Sequence, residues 1–338
     1  MRPAPLDFDS LHAALRAAGE GTRLRVLALL AEADLTVSDL TKILRQSQPR
    51  ISRHLKLLAE AGLVDRFREG SWAFYRLGER GGIADIAQML VGRLDPADPV
   101  VLRDRGRLAA VRAARAAAAQ TYFSQHAAEW DRIRRLHVAD AAVESAIETA
   151  LADRPIRSLL DLGTGTGRML ELFGNRFRRG LGLDLSPAML AYARTKLERA
   201  GLSNVQVRQA DIYDLPLADR AADAVVMHQV LHFLSDPQRA VREAVRVLAP
   251  GGRLLVVDFA PHELEFLRDD YAHERLGFTG PLIAQWCAES GAEVVETREL
   301  APSAASRNGK LTVSLWVARR PRAVGAIAGD QRKLESTA

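Results

Sequence analysis

Cysteine is almost absent from this chain of 338 residues, with Cys287 the only one. A single thiol excludes an intrachain disulfide and any cluster of thiolates around a metal within one chain. In a helical pattern such a thiol reads as a small hydrophobe. Long apolar runs are missing as well. No stretch of about 18 uncharged apolar residues occurs, so no helical membrane span is expected. Met1 to Ser10 lacks the charged-then-apolar pattern of a secretory leader, and the expectation is a cytoplasmic protein. An excess of one charge is nearly lacking too: 47 Lys and Arg against 42 Asp and Glu leave +5, which permits nucleic-acid binding without proving it. What is present is ordinary core material, 48% hydrophobic, in a chain long enough for two domains.

The small positive excess is not spread evenly. Between Ser38 and Arg76 eight basic residues face four acidic ones. That stretch predicts short helices and a hairpin. Helices are expected at Leu11–Ala18, Thr22–Ala31 and Val37–Leu44, and a fourth with Pro49 in its first turn and Gly62 as its stop. Leu63–Arg68 and Trp72–Leu77 alternate like strands around Glu69-Gly70-Ser71. Two helices joined by Leu44-Arg-Gln-Ser47, the second followed by a basic hairpin, make a winged helix-turn-helix. On the second helix Gln48, Arg50, Ser52, Arg53, His54 and Lys56 are side chains that donate to phosphates and base edges. Ile51, Leu55 and Leu58 would hold that helix on a core, and Arg66, Arg68 and Trp72 of the hairpin would reach the backbone beside the groove.

Thr22-Arg-Leu-Arg-Val-Leu-Ala-Leu-Leu30 and the run from Ser47 to Val64 resemble the ArsR-type winged-helix repressors over about Leu11 to Leu77. The resemblance implies a homodimer that binds double-stranded, palindromic operator DNA through two recognition helices. Metal-sensing members of that family carry cysteines before the recognition helix. Asp34-Leu-Thr-Val-Ser-Asp-Leu40 has none, so no metal site is expected there.

Asp95-Pro-Ala-Asp-Pro99 marks a domain boundary. The expected division is a winged helix over 1–95, an Arg/Ala-rich helical linker over 96–121, a second domain over 122–320 and a disordered tail over 321–338. The linker, with few apolar anchors, predicts an exposed or bridging helix. Its arginines make either a solvated face or a hinge between the domains. Tyr122–Leu151 predicts one further helix. From Ile156 strands and helices alternate, the pattern of a mainly parallel sheet covered on both faces. Strands are expected at Ser158–Leu162, Leu181–Leu185, Val205–Ala210, Ala224–His228, Leu254–Phe259, Glu293–Arg298 and Leu311–Ala318. The last two lack an intervening helix and predict an antiparallel pair at the sheet edge.

Asp161-Leu-Gly-Thr-Gly-Thr-Gly167 follows the first of these strands and opens a helix. Its glycines allow a tight turn and close approach to a ligand. Position 168 is Arg where a dinucleotide fingerprint needs glycine, and no lysine stands in phosphate-loop register. The second strand ends on Asp184, an acceptor-only carboxylate suited to both hydroxyls of a ribose. The third ends near Asp211, placed to accept from an adenine amino group with Ile212 against the ring. Each acid alone is commonly a turn former or helix cap; the ordered series behind one glycine loop points to a nucleoside.

This series, together with Asp223-Ala-Val-Val-Met-His-Gln-Val-Leu-His-Phe-Leu234, resembles the class I methyltransferases dependent on S-adenosylmethionine, over about Tyr122 to Ala318. The resemblance implies a Rossmann-like sheet of seven strands with an antiparallel last strand. It places Asp161, Gly163, Gly165 and Gly167 around the methionine portion, Asp184 and Leu185 at the ribose, Asp211 and Ile212 at adenine, and His228 beside the sulfonium. Tyr122 and Trp130 become candidates for a covering lid. Methyl transfer needs an aligned acceptor and exclusion of water, and a general base only for poorly ionised acceptors. His228, His232 and His262 are the candidate catalytic residues, with His273 further on; local hydrogen bonding or capping is their alternative. Arsenite methylation is disfavoured by the lone Cys287, and DNA methylation by His228-Gln-Val-Leu231 where the amino-methylating enzymes carry Asn/Asp-Pro-Pro-aromatic. Two expectations remain: a DNA-binding regulator that methylates a small molecule, or a non-catalytic repressor that senses S-adenosylmethionine or S-adenosylhomocysteine.

Overall fold

The structure, a computed structural model, describes residues 5–69, 72–78, 81–134, 140–152, 155–301 and 311–322. In chain order the first elements are α1 (Phe8–Ala18), α2 (Gly21–Leu30), β1 (Leu35–Thr36), α3 (Val37–Leu44), α4 (Gln48–Glu60), β2 (Val64–Glu69), β3 (Trp72–Leu77), α5 (Gly82–Gly92) and α6 (Pro99–His126). After a turn of 3₁₀ helix come α7 (Trp130–Arg134), α8 (Asp140–Leu151), β4 (Ile156–Leu162), α9 (Arg168–Phe173), β5 (Phe177–Asp184), α10 (Pro187–Arg199), β6 (Val205–Gln209) and β7 (Ala222–His228). The chain continues through α11 (Pro237–Val247), β8 (Leu248–Phe259), α12 (Phe266–Tyr271), α13 (Gly280–Glu289), β9 (Glu293–Leu300) and β10 (Val313–Arg319). The chain divides into two compact units. One comprises 1–122 with 232–236 and 261–277; the other comprises 123–231, 237–260 and 278–338.

In the first unit the apolar positions that give each helix its stripe meet in one core. Val26, Leu27, Leu40, Ile43, Ile51, Leu55 and Leu58 are all fully buried there. α3 starts on a capping box: the Thr36 hydroxyl accepts the Asp39 N–H and the Asp39 carboxylate accepts the Thr36 N–H. It ends at Arg45, whose φ of +54° turns the chain toward α4. β1, β3 and β2 form a small antiparallel sheet, with Phe67 opposite Phe74 across the hairpin.

α6 is largely exposed, as the Arg/Ala-rich segment predicts, but one side of it is anchored. α6 buries Asp104 and Leu108. The Arg25 guanidinium donates to both Asp104 oxygens, at 2.6 and 2.8 Å. The Arg115 guanidinium pairs with the buried Asp39, and Arg112 pairs with Asp236 at 3.0 Å. Arginine with a buried carboxylate supplies the anchoring that the apolar pattern lacks. The same unit takes in segments far along the chain. Arg268 lies 4.6 Å over the Trp72 ring, Arg275 lies 4.6 Å over Phe74, and Arg275 reaches Asp34 at 3.7 Å.

The second unit holds a seven-stranded sheet among the described residues, in the order β6-β5-β4-β7-β8-β10-β9. β6, β5, β4, β7 and β8 run parallel. β10 is antiparallel to both neighbours and lies between β8 and β9, so β9 is the edge strand. The central strands read as continuous apolar runs because both faces are covered: Leu159 and Leu160 on β4 and Leu254 to Val257 on β8 are essentially inaccessible. α11 presents Ala240, Val241, Ala244 and Val245 to the core. The single helix expected over Tyr122–Leu151 is broken instead into the end of α6, a 3₁₀ turn at Ala127–Glu129, α7 and α8. No described helix is long and apolar enough to cross a membrane. The expected tail over 321–338 and the loop at Pro302 lie almost entirely outside the described residues.

Candidate functional site

β4 ends on Asp161-Leu162, and the chain then turns through three glycines with φ of +69° at Gly163, +53° at Gly165 and +79° at Gly167. Side-chain-bearing residues rarely adopt this region. At Gly163 the requirement is doubled: a Cβ would lie 2.3 Å from the Val230 Cγ2. At Gly165 a Cβ would point at the Trp130 indole nitrogen, 3.5 Å away. The first residue of α7, Trp130, therefore lies beside the glycine loop. Two contacts fix it. Asp131 accepts from the Thr166 hydroxyl at 2.7 Å and from the Lys196 ammonium at 2.9 Å. Tyr122, the other lid candidate, belongs to the first unit, where burial pushes its phenol up to about 12.

Asp184 closes the loop from the next strand. Its Oδ2 accepts the Gly165 N–H and its Oδ1 the Ser186 N–H, each at 2.8 Å. Each oxygen keeps a lone pair for a further donor. Burial raises the pKa of this carboxyl, while the backbone donors work against the shift. Leu185 beside it is 44% exposed, an apolar surface at the strand ends. Beyond β6, Asp211 is exposed and folds into a turn in which its Oδ1 accepts the Tyr213 N–H at 2.9 Å; Ile212 is half-buried. The turn-former alternative thus describes part of what Asp211 does, and its second oxygen is not used by that bond.

Asp161 is 1% exposed and accepts the Thr164 hydroxyl at 2.6 Å. Burial pushes its carboxyl up to about 7; the Thr164 hydrogen bond opposes this, and the Asp184 charge adds to it. A carboxyl raised in the folded state stabilises the fold fully below its ordinary range and loses that contribution as pH rises through about 7. A cation placed beside it reverses the preference and expels the proton. Binding of a ligand ammonium at Asp161 is therefore expected to release protons near pH 6.5, roughly three quarters of a proton per site, with affinity rising toward pH 7 and levelling above it. Calorimetry in two buffers of different ionisation enthalpy checks this. The buffer dependence should vanish in Asp161→Asn.

His228 ends β7 and is half-buried. The loop after it is held by a residue the sequence pattern did not single out. Asp258, fully buried at the end of β8, accepts the Leu231 N–H at 3.0 Å. His232 and His262 fall in the first unit. The His232 ring lies 4.2 Å from that of His273, and the His232 carbonyl accepts the Glu274 and Arg275 N–H groups. His262 Nδ1 accepts the Leu264 N–H at 3.3 Å, a capping role. Cys287 is buried on α13, and burial pushes its thiol up to about 11, which makes it inert as a nucleophile.

On α4, Gln48, Arg50, Ser52, Arg53 and Lys56 are exposed, opposite the buried Ile51, Leu55 and Leu58. Arg66 and Arg68 are exposed on β2. His54 is not part of that exposed set: it is half-buried, with Nδ1 3.6 Å from the Glu20 carboxylate, and burial lowers its pKa. Trp72 stacks under Arg268 and is committed within its own unit.

The chain matches two family models, a bacterial regulatory protein domain of the arsR family at residues 20–66 and a methyltransferase domain at residues 160–256. It is 40% identical over 144 residues to a demethylmenaquinone methyltransferase of Thermus thermophilus, a match covering 41% of this chain and 64% of that protein. It is 37% identical over 142 residues to the ubiquinone/menaquinone biosynthesis C-methyltransferase UbiE of Vibrio cholerae, covering 39% of this chain and 53% of the relative. The chain thus spans less than two thirds of the length of these relatives. Among solved structures it is similar to YcgJ from Bacillus subtilis, with 19% identity, a TM-score of 0.45, and coverage of 53% of this chain and 98% of that one.

Proposed function

We propose, from a chain that carries an ArsR-family helix-turn-helix domain and a class I methyltransferase domain, that this protein is a DNA-binding transcriptional regulator whose second domain binds S-adenosylmethionine and methylates a small molecule. The observation that carries the cofactor reading is the pairing of Asp184 with the Gly165 N–H. It ties the ribose-side acid to a loop whose φ values and absent Cβ atoms leave room for a ligand against the backbone. Asp184 with Leu185 would hold the ribose, Asp211 with Ile212 the adenine, and Asp161 with Gly163, Gly165 and Gly167 the methionine end. When bound, the cofactor supplies an electrophilic methyl group. The chain supplies orientation and a Trp130 cover that keeps water away. His228 is the candidate base on the same sheet.

The DNA reading is supported by the exposed donors of α4 and by Arg66 and Arg68, with double-stranded operator DNA as the partner. A homodimer is supported by an apolar stripe on α1. Phe8 is 80% exposed, Leu11 37% and Leu15 49%, and Met89 on α5 is 53% exposed. α1 packs against α5, and so large an uncovered apolar surface fits burial against a second copy.

A second reading is a non-catalytic repressor that senses S-adenosylmethionine or S-adenosylhomocysteine. It draws on His232 and His262 being engaged in local structure, and on Asp236 and Glu274 being paired with the arginines of α6. A methyl-release assay on the full chain, run over candidate small-molecule acceptors including quinone-type phenols, tests the choice. Turnover supports the enzyme; saturable cofactor binding without turnover on any acceptor supports the sensor.

A further inference from the structure

Gln229 immediately follows His228, and nothing so far assigns it a role. Its φ is +53°, a left-handed conformation that a residue with a side chain adopts only where its surroundings impose it. The surroundings do so here: its N–H donates to the Val257 carbonyl at 2.7 Å and pins it to the end of β8. Such strain collects at functional sites, and here it accompanies a second, independent anomaly. Gln229 is only 8% exposed, and its side-chain nitrogen makes no hydrogen bond to any described residue. A buried amide donor without a partner is rare and calls for an explanation.

Its place in the fold supplies one. Val230, the next residue, fills the space that Gly163 leaves by having no Cβ, so Gln229 sits beside the glycine loop. The sheet order β6-β5-β4-β7 sets the acids in sequence across the strand ends: Asp211 after β6, Asp184 on β5, Asp161 and the loop at β4. β7 is the next position along that line, past the ribose and at the amino-acid end of a ligand laid across it. Several other side-chain donors near the loop are already committed. The Thr164 hydroxyl donates to Asp161 and the Thr166 hydroxyl to Asp131. Arg168 is paired with Glu144 and Glu171, and Lys196 with Asp131 and Glu171. The one anion at that end of S-adenosylmethionine is its carboxylate.

We infer that the Gln229 side-chain amide donates a hydrogen bond to the carboxylate of the methionyl portion of the cofactor, as a binding residue for that group. The inference rests on the cofactor reading above. The test compares two thioether ligands that differ in the amino-acid portion: S-adenosylhomocysteine, which has the carboxylate, and 5′-methylthioadenosine, which lacks it. Calorimetric titrations of wild type, Gln229→Met and Gln229→Glu are measured with each. Gln229→Met keeps the length and removes the donor; it should weaken S-adenosylhomocysteine about tenfold and leave 5′-methylthioadenosine unchanged. Gln229→Glu should weaken the former further, by repulsion between like charges, and again spare the latter. Unchanged binding of 5′-methylthioadenosine also shows that the variants are folded. Equal losses for both ligands, or none for S-adenosylhomocysteine, overturn the role of Gln229 alone. Wild-type protein that binds neither ligand overturns the cofactor reading, and this inference with it.

Discussion

Replacing Asp184 with alanine is expected to lower affinity for S-adenosylmethionine by roughly a hundredfold or more. Two charge-assisted hydrogen bonds to the ribose hydroxyls would be lost, each worth about 1.5–3 kcal/mol, and about 1.4 kcal/mol corresponds to a factor of ten. The glycine loop would loosen as well, because the same carboxylate accepts the Gly165 and Ser186 N–H groups. The ligand-free protein should be affected less than the binding. Burial raises the Asp184 pKa, so the ionised group is held in the fold at a cost that the backbone donors only partly offset. Asp184→Asn keeps the shape but turns one of the two acceptor oxygens into a donor facing a backbone N–H, so it should melt somewhat below wild type, by the cost of one lost acceptor, while losing far more in cofactor binding. Calorimetry and a thermal melt on the same samples read both quantities. Undiminished cofactor affinity in Asp184→Ala would remove the ribose assignment.

The second large effect is expected at the other end of the chain. Arg53 is exposed on α4, and the buried Ile51, Leu55 and Leu58 hold the helix from the opposite face. Alanine is the best helix former, so Arg53→Ala leaves α4 intact. DNA affinity should fall by about ten- to a hundredfold, the range for losing one arginine contact to a base edge or a phosphate. If the contact is to phosphate, the slope of log affinity against log salt should also shrink by about 0.9, the counterion released by one neutralised phosphate. S-adenosylmethionine binding should not change. A variant that lost both affinities would contradict the separation of the two sites.

The features that sequence made legible are those with a local physical signature. The glycines of the loop are demanded one by one, by φ values that only glycine adopts cheaply and by a Val230 side chain that leaves no room for a Cβ. The strands of the sheet announce themselves as apolar runs because both faces are covered, and an acid at the end of such a run stands out. α3 was legible through Thr36 and its cap. The features that stayed hidden are pairings across long sequence separations. Arg25 meets Asp104 over 79 residues, and Arg115 meets Asp39 over 76. A pattern that counts apolar positions finds the exposed face of α6 but not the arginines that anchor its other side. His54 carries no local sign that Glu20 draws it inward. His232 and His273 share a ring contact that neither local sequence suggests. Gln229 is the sharpest case, since its significance lies in a backbone angle and an unmatched donor.

Segments 232–236 and 261–277 pack within the helix-turn-helix unit. Arg268 on Trp72 and Arg275 on Phe74 hold the hairpin to the segment that follows β8. A ligand can alter DNA binding only by binding one state of the protein more tightly than another, and such coupling is reciprocal.

The most direct test of a ligand-responsive regulator is a titration of the full-length protein against double-stranded operator DNA, selected from a random pool. It is run at fixed salt without ligand, with saturating S-adenosylmethionine and with saturating S-adenosylhomocysteine. The expected result is a shift of at least about fivefold in DNA affinity with one of the two ligands, the lower end of ordinary allosteric coupling, and loss of that shift in Asp184→Ala. DNA affinity that stays the same when the ligand is independently shown to be bound would contradict the account.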